Sequence, residues 1–404
     1  MELFAPARLR AWWSHRQGLD SVDPIASPSQ VLANIGWARS VGGANPYLTL
    51  FSRASISRER IDQAIASLEI HELPSARGCT YIIPREHFAL ALKVGQGFSD
   101  QASMNTARNF LGVTDAEIEH LMAKVEDALK SGAMDPKELK EAVSDAARSL
   151  GEEGKKRGQT TTLPLALGFL QSQGRIRRVP TNGRLDQQRY SYCLWNPSPL
   201  GAFNLSKEEA YANLADLYFR WAGPATQVNF QWFSGLGVKA AKNAMESADI
   251  VRLENSEYFL DRESEEGFRT FQMLETPAYA LISGIDSHFV LRRDLSMLID
   301  DGDRSKQIVG EKGPAPIGGL SDLPNNAIID RGRIVGIWEF DPEAGELVHS
   351  TFIPVNKDLE AAIERTAEFA KNELGDVRSF SLDSPASRKG KLTEIRAMAQ
   401  LATC

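Results

Sequence analysis

Asp286 and His288 form a pair suited to acid–base work, a carboxylate and an imidazole two positions apart. On a strand, residues at that spacing share a face, and a carboxylate held against a water can take its proton. The competing reading is structural: Asp286 caps a turn or pairs with an arginine. Asp20 and Asp23 are weaker carboxylate candidates, because a helix-to-loop transition accounts for both. The second chemistry on offer is anion binding. Between Gly174 and Tyr190 stand Arg175, Arg177, Arg178, Arg184 and Arg189 against a single acid, Asp186, with Lys155, Lys156 and Arg157 shortly before. A basic run alone is a solvated loop; placed in a hairpin it becomes a device for touching phosphates.

Other chemistries find no support. Cys79, Cys193 and Cys404 are too scattered for a disulfide framework, no zinc spacing is present, and the six histidines stand singly, so neither metal nor cofactor is expected. There is no P-loop, nucleophile elbow or HExxH sequence. Gly235-Leu236-Gly237-Val238-Lys239-Ala240 fits a dinucleotide fingerprint in letters only, since the preceding Phe230-Gln231-Trp232-Phe233 reads as helix. With no apolar run long enough to span a bilayer and no signal-cleavage pattern, a cytoplasmic protein without membrane contact is expected. The net charge of −7 argues against a surface that coats nucleic acid everywhere, and leaves room for one local basic face.

The elements that must position these residues are marked by their starts. Ser27-Pro28-Ser29-Gln30, Ser57 before Arg58, Thr114-Asp115-Ala116-Glu117, Asp135-Pro136-Lys137-Glu138 and Ser206-Lys207-Glu208-Glu209 all carry N-cap chemistry. Ile118, Leu121, Val125 and Leu129 then repeat at helical spacing. Short strands are expected at Gly78–Pro84, Arg175–Val179, Arg189–Leu194, Ile250–Leu260, Tyr279–Ile282, Ala327–Ile329 and Ile334–Glu339, and Gly313–Gly319 reads as a loop. Thr181-Asn182-Gly183 and Arg331-Gly332-Arg333 supply hairpin turns. Helices followed by a basic hairpin form the winged-helix variant of helix-turn-helix. The expected fold is mainly α with short β-hairpins (α+β), with tandem winged-helix units stacked into a C-shaped concave channel. The units run 1–110, 111–200 and 201–268, followed by a small β/α element at 269–380. Trp12 and Trp13 are expected to pack the first helix, Trp221 and Trp232 the third unit, and Trp338 a hairpin core. The tail 381–404, with Arg388-Lys389-Gly390-Lys391, reads as a mobile basic segment.

Several stretches in order resemble the winged-helix family that includes the AlkZ and AlkX (YcaQ) DNA glycosylases. They are Arg16-Gln17-Gly18-Leu19, Leu48-Thr49-Leu50-Phe51-Ser52-Arg53, Ala76-Arg77-Gly78-Cys79-Thr80-Tyr81-Ile82-Ile83-Pro84, Trp221-Ala222-Gly223-Pro224-Ala225-Thr226, Ile285-Asp286-Ser287-His288-Phe289 with Arg292-Arg293-Asp294, and Gly332-Arg333-Ile334-Val335-Gly336-Ile337-Trp338. The resemblance implies three tandem winged helices and double-stranded DNA as partner, damaged duplex included, handled by a monomer. It implies Arg39, Arg53, Arg77, Arg292 and Arg293 along the channel with Thr80 and Tyr81, and wing contacts from Arg175, Arg177 and Arg178.

The departures are at the chemistry. The family's Gln-hydrophobic-Gln or Gln-hydrophobic-Asp motif falls on Arg39-Ser40-Val41, its tyrosine after Asp-Pro on His288, and a closing arginine on Leu295. Glutamine orients a water and a carboxylate deprotonates it. Arg39 does neither, and as a permanent cation it suits a phosphate rather than an oxocarbenium. Three functions follow as alternatives: a DNA-binding protein with little or no excision, a glycosylase remodelled around Asp286 and His288, and a scaffold for a small molecule or protein.

Overall fold

A computed structural model describes residues 3–21, 25–187, 189–310 and 312–402; Asp23 lies outside them. The chain is a mixed α/β structure with small antiparallel sheets. Helix starts follow the caps read in the sequence. Ser27, Asp135 and Ser206 form reciprocal capping boxes with Gln30, Glu138 and Glu209, and Thr114 accepts from the Glu117 amide; each such cap contributes about 1 kcal/mol. A further box at Thr226–Asn229 starts the helix Gln227–Ser234.

Three times the chain passes through helices into a hairpin. Helices Pro28–Ile35, Asn45–Ala54 and Arg58–Ala66 precede Ile70–Pro74 and Thr80–Pro84, and Ala38–Arg39 adds a third strand beside Thr80–Pro84. Helices Asp115–Leu129, Pro136–Val143 and Leu163–Ser172 precede the pair Ile176–Pro180 and Tyr190–Leu194. Helices Lys207–Ala222, Gln227–Ser234 and Val238–Glu246 precede Ile250–Arg252 and Phe259–Asp261; the single run expected from Ile250 to Leu260 is thus two strands around a turn. A four-stranded antiparallel sheet then forms in the order Glu346–Thr351, Arg333–Asp341, Asn326–Asp330, Tyr279–Ile282. Arg331 and Gly332, with φ of 45° and 81°, make its two-residue hairpin turn.

The middle stretch has a core of its own, drawn from Met104 to Tyr192. The other three cores mix distant stretches. One joins Leu32, Leu48 and Ile65 to Trp338, Phe340 and Phe369. The N-terminal helix Pro6–Arg16 is tied to the third hairpin unit, where Trp12 and Trp13 donate their indole N–H to the carbonyls of Gly223 (2.9 Å) and Pro224 (3.1 Å). Each bond contributes about 1 kcal/mol net. Among the described residues, no helix is long and apolar enough to cross a membrane.

Two expectations are corrected here. Gly313–Pro316 is a strand paired with Gln307–Gly310, not loop. The tail is not mobile: Pro385–Ala402 is a helix with Leu392 and Ile395 in a core. Its basic residues are spent internally, Arg388 on Asp376 (2.6 Å) and Lys391 on Glu339 and the Pro324 carbonyl (2.7 Å).

Candidate functional site

Asp286 is not on a strand. It is the N-cap of the short helix Ser287–Val290, its Oδ1 accepting from the His288 amide at 2.9 Å. The spacing that suggested a shared strand face is a cap geometry instead, because the chain turns helical at Ser287. Arg53, in the last turn of Asn45–Ala54, grips the carboxylate with both Nη atoms (2.9 and 2.7 Å), and Thr49 Oγ1 donates to Oδ2 at 3.2 Å. The Arg53 Nε donates to the Gln17 carbonyl at 2.9 Å. Asp286 and His288 are fully buried and Arg53 is 3% exposed. Burial alone would raise the Asp286 carboxyl. The Arg53 charge and hydrogen bonds, with the His288 amide, outweigh it and hold the group below the usual carboxylate range. His288 donates from Nε2 to the Gly332 carbonyl at 3.2 Å. Burial, reinforced by Arg292, pulls its imidazole down to about 4, so it is neutral near pH 7.

Arg292 is likewise interior. Its Nε and Nη2 donate to the Ala222 carbonyl (3.0 and 2.7 Å), and its guanidinium lies 4.3 Å from the Trp13 ring centre. Neither Arg53 nor Arg292 faces solvent, so the expectation that they line a channel is corrected: each satisfies buried carbonyl or carboxylate oxygens that burial would otherwise leave unpaired.

Arg77 and Arg293 meet on one side chain. Their guanidinium carbons lie 3.4 and 3.9 Å from the ring centre of half-buried Trp232, which is a cation platform at the edge of the core that takes Trp221. Both residues have left-handed backbone, φ 59° and 51°. Arg293 also pairs with Asp322 (Nε to Oδ1 2.7 Å) beside an open cavity of about 1030 Å³ whose wall includes Phe289, Leu320 and Phe380.

Arg39 behaves differently. Its Nη1 donates to the Thr80 carbonyl at 3.2 Å and its guanidinium lies 5.4 Å from the Tyr81 ring centre; the side chain is only half-buried. The next residue, Ser40, is buried and donates to Glu72 Oε1 at 2.6 Å. Tyr190 Oη reaches the same oxygen at 3.5 Å, and Arg178 Nη1 stands 3.7 Å from Glu72 Oε2. Glu72 thus joins the strand carrying Arg39 to the basic hairpin, a link that nothing in the sequence of Ile70-His71-Glu72-Leu73-Pro74 announced. Within that hairpin Arg175 is bound by Glu126. Among the described residues, Arg39, Arg177 and Arg189 have no carboxylate within ion-pair distance.

The loop after Arg39 is covered by the chain's own C-terminal part. The Ala44 amide donates to the Arg378 carbonyl at 2.8 Å and the Ser381 amide to the Val41 carbonyl at 3.1 Å. Gly43 lies so close that an added Cβ would collide with the Ser379 carbonyl.

Comparison with known proteins bears on this arrangement. A model of the DNA glycosylase AlkZ-like family matches residues 38–371, so the covering segment and the last helix lie beyond it. No curated protein sequence matches the chain. Among solved structures, the DNA glycosylase AlkZ of Streptomyces sahachiroi has a similar fold, with a TM-score of 0.66 at 19% identity over 92% of this chain and 97% of that one.

Proposed function

Because the chain belongs to the DNA glycosylase AlkZ-like family, we propose that it binds duplex DNA, alkylation-damaged duplex included, and does not excise bases through the family's glutamine motif. The three helix-then-hairpin stretches act as winged helices whose hairpins contact backbone. Arg39, Arg177 and Arg189, unclaimed by carboxylates, supply phosphate contacts.

One observation carries the reading. Where the resemblance places a water-holding pair, the chain offers the partly buried Arg39, an apolar Val41 and a backbone covered by residues 378–381. An oxocarbenium gains nothing from a permanent cation beside it. Asp286 and His288 offer no substitute, since both are fully buried and the carboxylate is already held by Arg53, Thr49 and the His288 amide.

The test is to incubate the purified protein with N7-methylated duplex and measure complex formation and abasic sites in the same samples. Complex without abasic sites above the protein-free control is expected. Release of methylated base above that control overturns the non-excising part, and absence of complex overturns the whole.

A further inference from the structure

The turn that covers the Val41–Ala44 loop is pinned on every side. Besides the two backbone bonds to that loop, the Ser379 and Phe380 amides donate to Asp383 Oδ2 at 3.1 and 2.9 Å, and the Asp383 amide returns to the Phe380 carbonyl at 3.1 Å. Val377 is in the core just before it, and Arg388 fastens the following helix to Asp376. The Arg378 guanidinium reaches across to the Asp186 carbonyl (Nε 2.9 Å), in the loop of the basic hairpin. The turn therefore bridges the loop that follows Arg39 and the hairpin that carries Arg177 and Arg189.

On this pinned turn two large apolar side chains stay in water: Leu382 is 93% exposed and Phe380 48%. A flexible tail could tuck such groups away. Here the hydrogen bonds fix the backbone, so the exposure is built in, on a turn that joins the loop after Arg39 to the hairpin of Arg177 and Arg189. An apolar pair on a turn between two segments that carry carboxylate-free arginines suits an opened base step, which offers charged backbone on either side and apolar base faces between.

Resting on the DNA-binding reading, we propose that Phe380 and Leu382 form a wedge that presses into a base step of the bound duplex, so that the covering turn takes over the surface where the glutamine motif would act. Unstacking costs free energy, burial of Phe380 and Leu382 against the base faces outweighs it, and the count of phosphate contacts is unchanged.

A short duplex carrying 2-aminopurine at a central step tests this, because unstacking brightens the base. Binding followed separately by anisotropy should show the wild-type protein forming complex and raising 2-aminopurine fluorescence. Phe380→Ala with Leu382→Ala should keep the same salt dependence, bind roughly tenfold more weakly and lose the rise. Should that double variant melt early, Leu382→Ser, at a side chain open to solvent, repeats the comparison. A wild-type complex with 2-aminopurine still quenched, or a variant that brightens it as fully, overturns the wedge and leaves DNA binding standing. A wild type that forms no complex overturns both. A dimer in light scattering that the double variant dissolves reassigns the pair to self-association and overturns the wedge.

Discussion

Arg39 precedes the helix Asn45–Ala54 and Arg53 lies in its last turn, and the two meet opposite fates. Arg53 is swallowed: its guanidinium is saturated by Asp286 and Gln17, and both charges are out of water. Arg39 keeps one bond to a carbonyl and is only partly buried. The two are the same residue type, Arg53 in a stretch that resembles the family and Arg39 where the chain departs from it, yet only Arg53 is tied into the fold by a carboxylate. For these two the difference is whether a carboxylate arrives from elsewhere in the chain.

The closed side of this contrast breaks most expensively. Asp286→Ala strands a buried guanidinium and should cost about 3–5 kcal/mol, read as a large fall in the denaturant midpoint with DNA contacts untouched at the loop. Replacing both partners, Arg53→Met with Asp286→Leu, should recover most of that loss, since well-packed apolar side chains need no desolvation. A double variant as unstable as the single one would show that the pair does more than satisfy itself.

Acid should open the same region. His288 is held neutral with its value lowered from 6.5 to about 4, so the unfolded chain binds the extra proton between those values and stability falls as pH drops through that window. Asp286, held below the usual carboxylate range, adds stability that is present above its unfolded value and lost only as pH falls further, through its folded one. Thermal melts followed from about pH 7 to pH 4 should therefore show a steady loss. His288→Gln, which keeps a donor for the Gly332 carbonyl, should flatten the upper part of that profile; an unchanged profile would place the titrating group elsewhere, with His71, lowered to about 3 by burial, as the next candidate.

Between the extremes lie arginines that are exposed but already paired. Arg175→Ala and Arg293→Ala each break a surface ion pair, with Glu126 and Asp322, and should cost under about 1 kcal/mol. Because each charge is neutralised locally, DNA affinity should change less for either than for Arg177→Ala. A larger loss for Arg293→Ala would move the Trp232 platform from structure into the contact surface.

How far the sequence foretold all this depends on range. The capped helices at Ser27, Thr114, Asp135 and Ser206 were legible because a cap and its partner lie three residues apart, and the Arg331-Gly332 hairpin because its turn demands left-handed backbone. The strand Ile70–Pro74 was not, since its alternation is short and its pairing with Thr80–Pro84 supplies the rest. Asp286 was picked out as chemistry or as a cap and ion pair, and only tertiary packing brought Arg53 and Thr49 to it. The covering turn could not be foreseen: its bonds to the Val41–Ala44 loop are backbone to backbone, and its fastening runs between Arg388 and Asp376 through a helix read as loose tail.

The most direct test of the contrast is the salt dependence of duplex affinity for the wild-type protein and for the variant with Arg39, Arg177 and Arg189 all changed to alanine. The account predicts wild-type binding that weakens steeply with salt and a variant slope smaller by roughly three, one released counterion for each lost phosphate contact. Equal slopes for the two proteins, or wild-type binding that ignores salt, would contradict it.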